Sequence, residues 1–153
     1  MKREDKYHKA KNYLSQYQVL NKKIDINHYR MLELDRKINE PQTTSVVEMV
    51  QGSKETREKG SNVMIKYIYM LEDLYLKQKN NIKNIEIKKK EIDNFIRDNT
   101  NTELEYIVLS LFYITGFSLN RISVKVSYSY SHTKRMFYLG LKSIEEALKK
   151  GGE

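Results

Sequence analysis

Near the start of the chain, apolar residues recur at alternating steps of three and four. Tyr13, Tyr17, Leu20, Ile24, Met31, Leu34 and Ile38 keep this rhythm, which lapses once, at Asn27. Such spacing gathers side chains into one narrow stripe on a helix, the pattern of coiled-coil packing. It predicts a helix over residues 6–39. In heptads, Tyr17, Ile24, Met31 and Ile38 form one column, and Tyr13, Leu20, Asn27 and Leu34 the other. Asn27 either lies in the seam, where a polar residue fixes register or partner number, or turns to solvent at an irregularity.

A second rhythm covers residues 61–98. Met64, Ile68, Leu71, Tyr75, Ile82, Ile85, Ile92 and Ile96 step by three and four, with Gln78 and Lys89 as polar interruptions. A helix of that length extends about 55 Å. Between the two lies a polar stretch, residues 40–60, with Pro41, Gly52, Gly60 and a short apolar patch at Val46, Val47, Met49 and Val50. Proline ends the first helix, and the segment is read as a flexible linker. Two long amphipathic helices joined by a linker predict an antiparallel hairpin, coiled-coil-like, over residues 1–98. A two-helix hairpin buries little apolar area per residue. A homo-oligomer formed through the N-terminal helices is therefore expected.

From residue 99 the rhythm shortens. Residues 98–102, Asp-Asn-Thr-Asn-Thr, end the long helix, and Thr102 precedes Glu103 and Glu105 as a candidate N-cap. Leu104, Ile107, Val108, Leu111 and Phe112 mark one face of a helix over 103–115, stopped by Gly116. Ser118 can cap a short helix over 119–126 whose inward residues are Leu119, Ile122 and Val126. After a turn at Ser127 and Tyr128, Ser129 can cap a last helix reaching about residue 149. Its expected inward positions are Thr133, Met136, Gly140, Leu141, Ile144 and Leu148, with Gly140 allowing close approach to a neighbour. The expected fold is thus all-α, a long helical hairpin followed by a helix-turn-helix domain over residues 99–153.

Composition agrees with helices. Pro occurs once and Gly six times in 153 residues, so helix breakers are scarce. The absence of cysteine excludes disulfides and thiolate metal sites. The charged opening residues do not read as a signal peptide, and no apolar run is long enough to span a bilayer. A cytoplasmic protein without a membrane partner is expected.

The charge balance, +8, favours polyanionic partners. Its distribution is more telling. Between residues 118 and 142 stand Arg121, Lys125, Lys134, Arg135 and Lys142 without one acid. An acid-free surface suits phosphate approach. The first residues of a recognition helix reach base edges, which places Tyr130, Ser131, His132, Lys134 and Arg135 at the reading face. Arg135 suits guanine, and His132 a base or a phosphate. Tyr128, Tyr130 and Tyr138 either pack on sugar-phosphate or complete the core. The expected contact set with double-stranded DNA is Ser118, Arg121, Lys125, Ser129, Tyr130, Ser131, His132, Lys134, Arg135 and Tyr138. A basic three-helix packing module without a DNA role is the alternative.

The run Leu111-Phe112-Tyr113-Ile114-Thr115-Gly116-Phe117-Ser118, followed by Ile122 and by Tyr128-Ser129, resembles sigma factor region 4. With Tyr13-Leu14-Ser15-Gln16-Tyr17 and Ile24-Asp25, it resembles more closely the RinA/ArpU-type phage transcription regulators. The resemblance implies a phage or prophage regulator that activates late genes in the bacterial host cytoplasm, with RNA polymerase as a partner. It implies DNA reading by Tyr130, Ser131, His132 and Arg135. The chain departs from the family at Arg121 and Lys125, where acids are common, and at Tyr130 and Ser131, which replace a charged pair. A small terminase-like DNA-packaging subunit is the second reading.

Nothing in the sequence points to catalysis. His8, His28 and His132 lack metal-ligand spacing, and no nucleophile motif is present. Gly52-Ser53-Lys54 lacks the upstream glycine of a phosphate loop. Glu72, Asp73, Glu91 and Asp93 read as solvated helical charges. The chain is expected not to be an enzyme, with no catalytic residue, metal or cofactor.

Overall fold

The computed structural model describes residues 6–40 and 54–151. Among them the fold is all-α, with six α-helices: α1 (His8–Leu14), α2 (Gln16–Asn39), α3 (Lys54–Asn99), α4 (Glu103–Ser110), α5 (Leu119–Val126) and α6 (Tyr130–Gly151). A π-helical turn, Leu111–Thr115, follows α4. The long helices α2 and α3 form an antiparallel pair.

Two expected helix boundaries need correction. The first helix is interrupted at Ser15, whose right-handed angles and bonds to Lys11 and Val19 keep α1 and α2 nearly continuous. The expected linker 40–60 is cut short, because α3 already begins at Lys54. Residues 54–59 are Lys-Glu-Thr-Arg-Glu-Lys, and the Lys, Glu and Arg residues among them are good helix formers that offset the roughly 1 kcal/mol cost of Gly60. Pro41, the apolar patch 46–50 and Gly52 lie outside the described residues.

The chain divides into two compact units, Lys22–Lys83 and the flanking segments Met1–Asn21 with Asn84–Glu153. The division expected from sequence, at residue 98, falls inside the second of these. In the Lys22–Lys83 unit, Gln78 of α3 donates to the Ile24 carbonyl at 2.8 Å. Farther along α2, Lys37 sits over the Tyr67 ring, 5.5 Å from its centre. The partners on α3 thus fall in number as those on α2 rise, as antiparallel packing requires.

The seam of this hairpin follows the heptads on α2. Ile24, Asn27, Met31 and Ile38 are half-buried and Leu34 is buried, so Asn27 faces the seam. On α3 the seam is Met64, Tyr67, Leu71, Leu74, Gln78 and Asn81. Ile68, Tyr75 and Ile82, expected on the stripe, are 40%, 61% and 52% exposed. The reason is that α3 carries two adjacent apolar columns with the same three-four spacing, and only the partner helix decides which turns inward. Gln78, expected as an interruption, is buried in the seam.

The other unit has a true core. Ala10 and Leu14 of α1, Ile92 and Ile96 of α3, Val108 and Leu109 of α4, Tyr113 of the π turn, Ile122 of α5, and Phe137, Leu141 and Ile144 of α6 meet there. Phe137 takes a buried place expected for Met136, which is half-buried. Thr102 caps α4, accepting the Glu105 N–H at 3.2 Å, while Glu105 reaches back to the Asn101 N–H at 3.2 Å. Asp93 is no solvated charge. It accepts from the Tyr106 hydroxyl at 2.8 Å and the Ser110 hydroxyl at 3.3 Å, tying α3 to α4.

Candidate nucleic-acid interface

The candidate interface lies on α5, a three-residue turn and α6. Gly116, at φ 86°, ends the π turn in the left-handed conformation that glycine tolerates. Its N–H and that of Phe117 both reach the Leu111 carbonyl. The Phe112 carbonyl of the same turn accepts from the Gln18 side chain at 2.9 Å, so the start of α2 braces the approach to α5.

Ser118 then opens α5 by accepting the Arg121 N–H at 3.3 Å. The Arg121 guanidinium stacks on Phe117, 3.9 Å from the ring centre, which holds a cation at the first turn of α5. Ser127 closes α5 at φ 61°, left-handed without being glycine. The Tyr128 N–H returns to the Ser123 carbonyl at 3.2 Å. Ser129 opens α6 by accepting the His132 N–H at 3.1 Å. Thr133, fully buried, returns its hydroxyl to the Ser129 carbonyl at 2.9 Å. The hydroxyl caps expected at Thr102, Ser118 and Ser129 are all present.

Behind this pair, α6 crosses α4 at Gly140. A Cβ there would lie 2.8 Å from Leu109 Cδ1 and 3.1 Å from Leu109 Cγ. Leu109 is fully buried and has little room to give, so the close approach anticipated from the glycine is a real constraint on α6.

The expected contact residues do not form one surface. Ser131, Lys134, Arg135 and Tyr138 line one groove along α6, with Leu139 and Lys142. Arg121 sits at the start of α5, beside its cap Ser118. Lys125 lies apart, in a hollow shared with Tyr128, Leu104, Ile107 and Glu103. Tyr130 is exposed at the start of α6, and the His132 ring lies 4.9 Å from that of Tyr128. The acid-free stretch of sequence is thus only partly an acid-free surface, since Glu103 returns beside Lys125.

Residues from the far end of the chain join the groove, and sequence reasoning missed them. Lys6 and Tyr7 line it opposite α6. They are held there by a cap acting across the chain. Tyr7 precedes α1 at φ 64° without a side-chain cap of its own, and Glu145 of α6 accepts the Ala10 N–H at 2.6 Å. A carboxylate at a helix N-terminus satisfies an orphan donor and complements the helix dipole. Glu145 is buried, as are Ala10 and Leu14 beside it. No local signal announces a partnership across 135 residues.

Among the described residues, no three or more His, Cys, Asp or Glu are grouped to hold a metal ion. Among them too, no helix is long and apolar enough to cross a membrane. In comparisons with known proteins, no family model, curated protein or solved structure matches the chain.

Proposed function

We propose that α5 and α6 form a helix-turn-helix and that the protein is a sequence-specific regulator binding double-stranded DNA. The observation that carries this reading is the pairing of two hydroxyl-capped helices across a three-residue turn, with an exposed basic face at the start of the second. In this reading α5 braces α6 and offers Arg121 to the backbone, while Ser131 and Arg135 enter the major groove. Arg135 is exposed and free to pair with guanine in bidentate fashion. The likeness to RinA/ArpU-type regulators supports a phage or prophage activator of late genes, working with RNA polymerase in a bacterial host.

The same reading includes self-association through the helical hairpin. It is supported by the second apolar column of α3, where Ile65, Ile68, Tyr69, Tyr75, Leu76 and Ile82 stay exposed. A dimer brings two reading helices to two half-sites.

Selection from a random duplex library, with the mass of the complex measured alongside, tests the reading. An enriched motif is expected, bound by more than one copy. Arg135→Ala is expected to weaken that duplex by about 1–3 kcal/mol while leaving unrelated duplexes little changed. Absence of any motif, or full specific affinity in the variant, overturns the assignment of α6. A ring-sized assembly on a packaging site would replace the regulator by a terminase-like subunit.

A further inference from the structure

The groove between the start of α1 and the side of α6 has a composition that the helix-turn-helix alone does not require. Its volume is about 570 Å³, and Lys6, Lys134, Arg135 and Lys142 converge on it with no carboxylate among the described residues of its lining. Tyr7, Ser131 and Tyr138 add polar groups to its walls. In the adjoining hollow Glu145 and Glu146 stand with Lys6 and Lys142. Of these, Glu145 is engaged by the Ala10 N–H. The groove therefore begins at the reading face of α6 and ends where the acids begin.

We propose that this groove holds one phosphodiester strand of the bound duplex, so that Lys6, Tyr7 and Lys142 extend the DNA surface beyond the helix-turn-helix. The proposal rests on the DNA-binding reading of α6 and adds a second, sequence-distant wall to it. From Lys134 to Lys142 the helix advances about 12 Å. Along the path of a strand, which winds about the duplex axis, that distance reaches two neighbouring phosphates. Lys6 on one wall and Lys134 and Lys142 on the other can neutralise consecutive phosphates, while Arg135 reads the base, and each neutralised phosphate releases condensed counterions. Such contacts add affinity and fix register without reading bases. Lys6 is exposed but its backbone is not adrift, because the Glu145 cap and the buried Ala10 and Leu14 seat α1 against the core.

The test uses the full chain and fluorescently labelled duplexes, one selected and one unrelated, titrated over a range of salt. Lys6→Ala and Lys142→Ala are each expected to weaken both duplexes by the same factor, about threefold to tenfold, and to lower the salt slope by about 0.9. Both lysines are exposed, so thermal melting is expected to match the unaltered protein. Lys66→Ala, an exposed lysine of the Lys22–Lys83 unit, is expected to leave the slope unchanged. Loss of slope equal to that of Lys6→Ala at Lys66 would overturn the groove in favour of a general charge effect. Unchanged affinity and slope at Lys6 and Lys142, with Arg135→Ala still relaxing specificity, would overturn the groove and leave the helix-turn-helix standing. Absence of salt-sensitive binding by the unaltered protein would overturn both.

Discussion

In the Lys22–Lys83 unit the apolar residues are divided between a seam and an outer face. In the other unit they converge on one centre. The hairpin places few side chains wholly out of water, Leu34 and Gln78 being the buried ones among its described residues. The other unit draws eleven buried apolar residues from α1, α3, α4, the π turn, α5 and α6 into one cluster. Heptad spacing suffices to join two helices, but it does not surround anything. A core needs elements that arrive from several directions, and these come from both ends of the chain.

Truncations give the largest expected contrast. Leu141→Ala removes a fully buried side chain and is expected to cost about 2–5 kcal/mol in denaturant unfolding. Ile82→Ala, half-exposed on the hairpin, is expected to cost well under about 1 kcal/mol in a dilute, dissociated sample. Equal losses at the two positions would erase the distinction between the units.

Gly140→Ala sharpens it. The added methyl meets Leu109 at the crossing of α4 and α6, and a loss of about 1–3 kcal/mol is expected from overpacking. An unchanged unfolding midpoint would mean that α6 can slide away from α4.

A pH series separates the core from its surroundings. Burial pushes the Tyr113 phenol above its ordinary value of 10.0, and the nearby Tyr138 pushes it further. The folded chain keeps that proton where the unfolded chain releases it. The contribution is therefore whole below pH 10 and is lost as the pH rises beyond it. Melting curves of the Tyr113→Phe variant are expected to fall less steeply above pH 10 than those of the unaltered protein. Parallel curves would show that Tyr113 ionises without opening the core.

The smallest effect belongs to the seam. Gln78 satisfies its amide nitrogen on the Ile24 carbonyl, whereas its Oε1 is buried without a partner. Gln78→Leu exchanges one hydrogen bond for apolar packing and relief of that oxygen, so a change within about 1 kcal/mol is expected. A loss of several kcal/mol would give Gln78 a role in fixing the hairpin register.

Local chemistry was legible in the sequence. The capping hydroxyls of Thr102, Ser118 and Ser129 act within three or four residues of themselves, and Gly116 answers a backbone need at its own position. Those signals placed α5 and the start of α6 where the structure has them. Orientation was less legible. Tyr67 and Ile68, or Leu74 and Tyr75, fit the same rhythm, and Met136 and Phe137 compete in the same way. The choice is made by whatever packs against them. The second wall of the groove was hidden altogether, because Lys6 and Tyr7 reach α6 through Glu145, which reads in isolation as one more surface acid.

That same bond sets an order in time. During synthesis the first turn of α1 leaves the ribosome long before its cap exists, since Glu145 follows Ala10 by 135 residues. Contacts of such separation pay the full cost of loop closure and form late. Residues 99–153 made alone would lack Ala10, Leu14, Ile92 and Ile96, all members of the shared core. The proposed reading head is therefore not a detachable module. It is finished only when the last helix folds back upon the first.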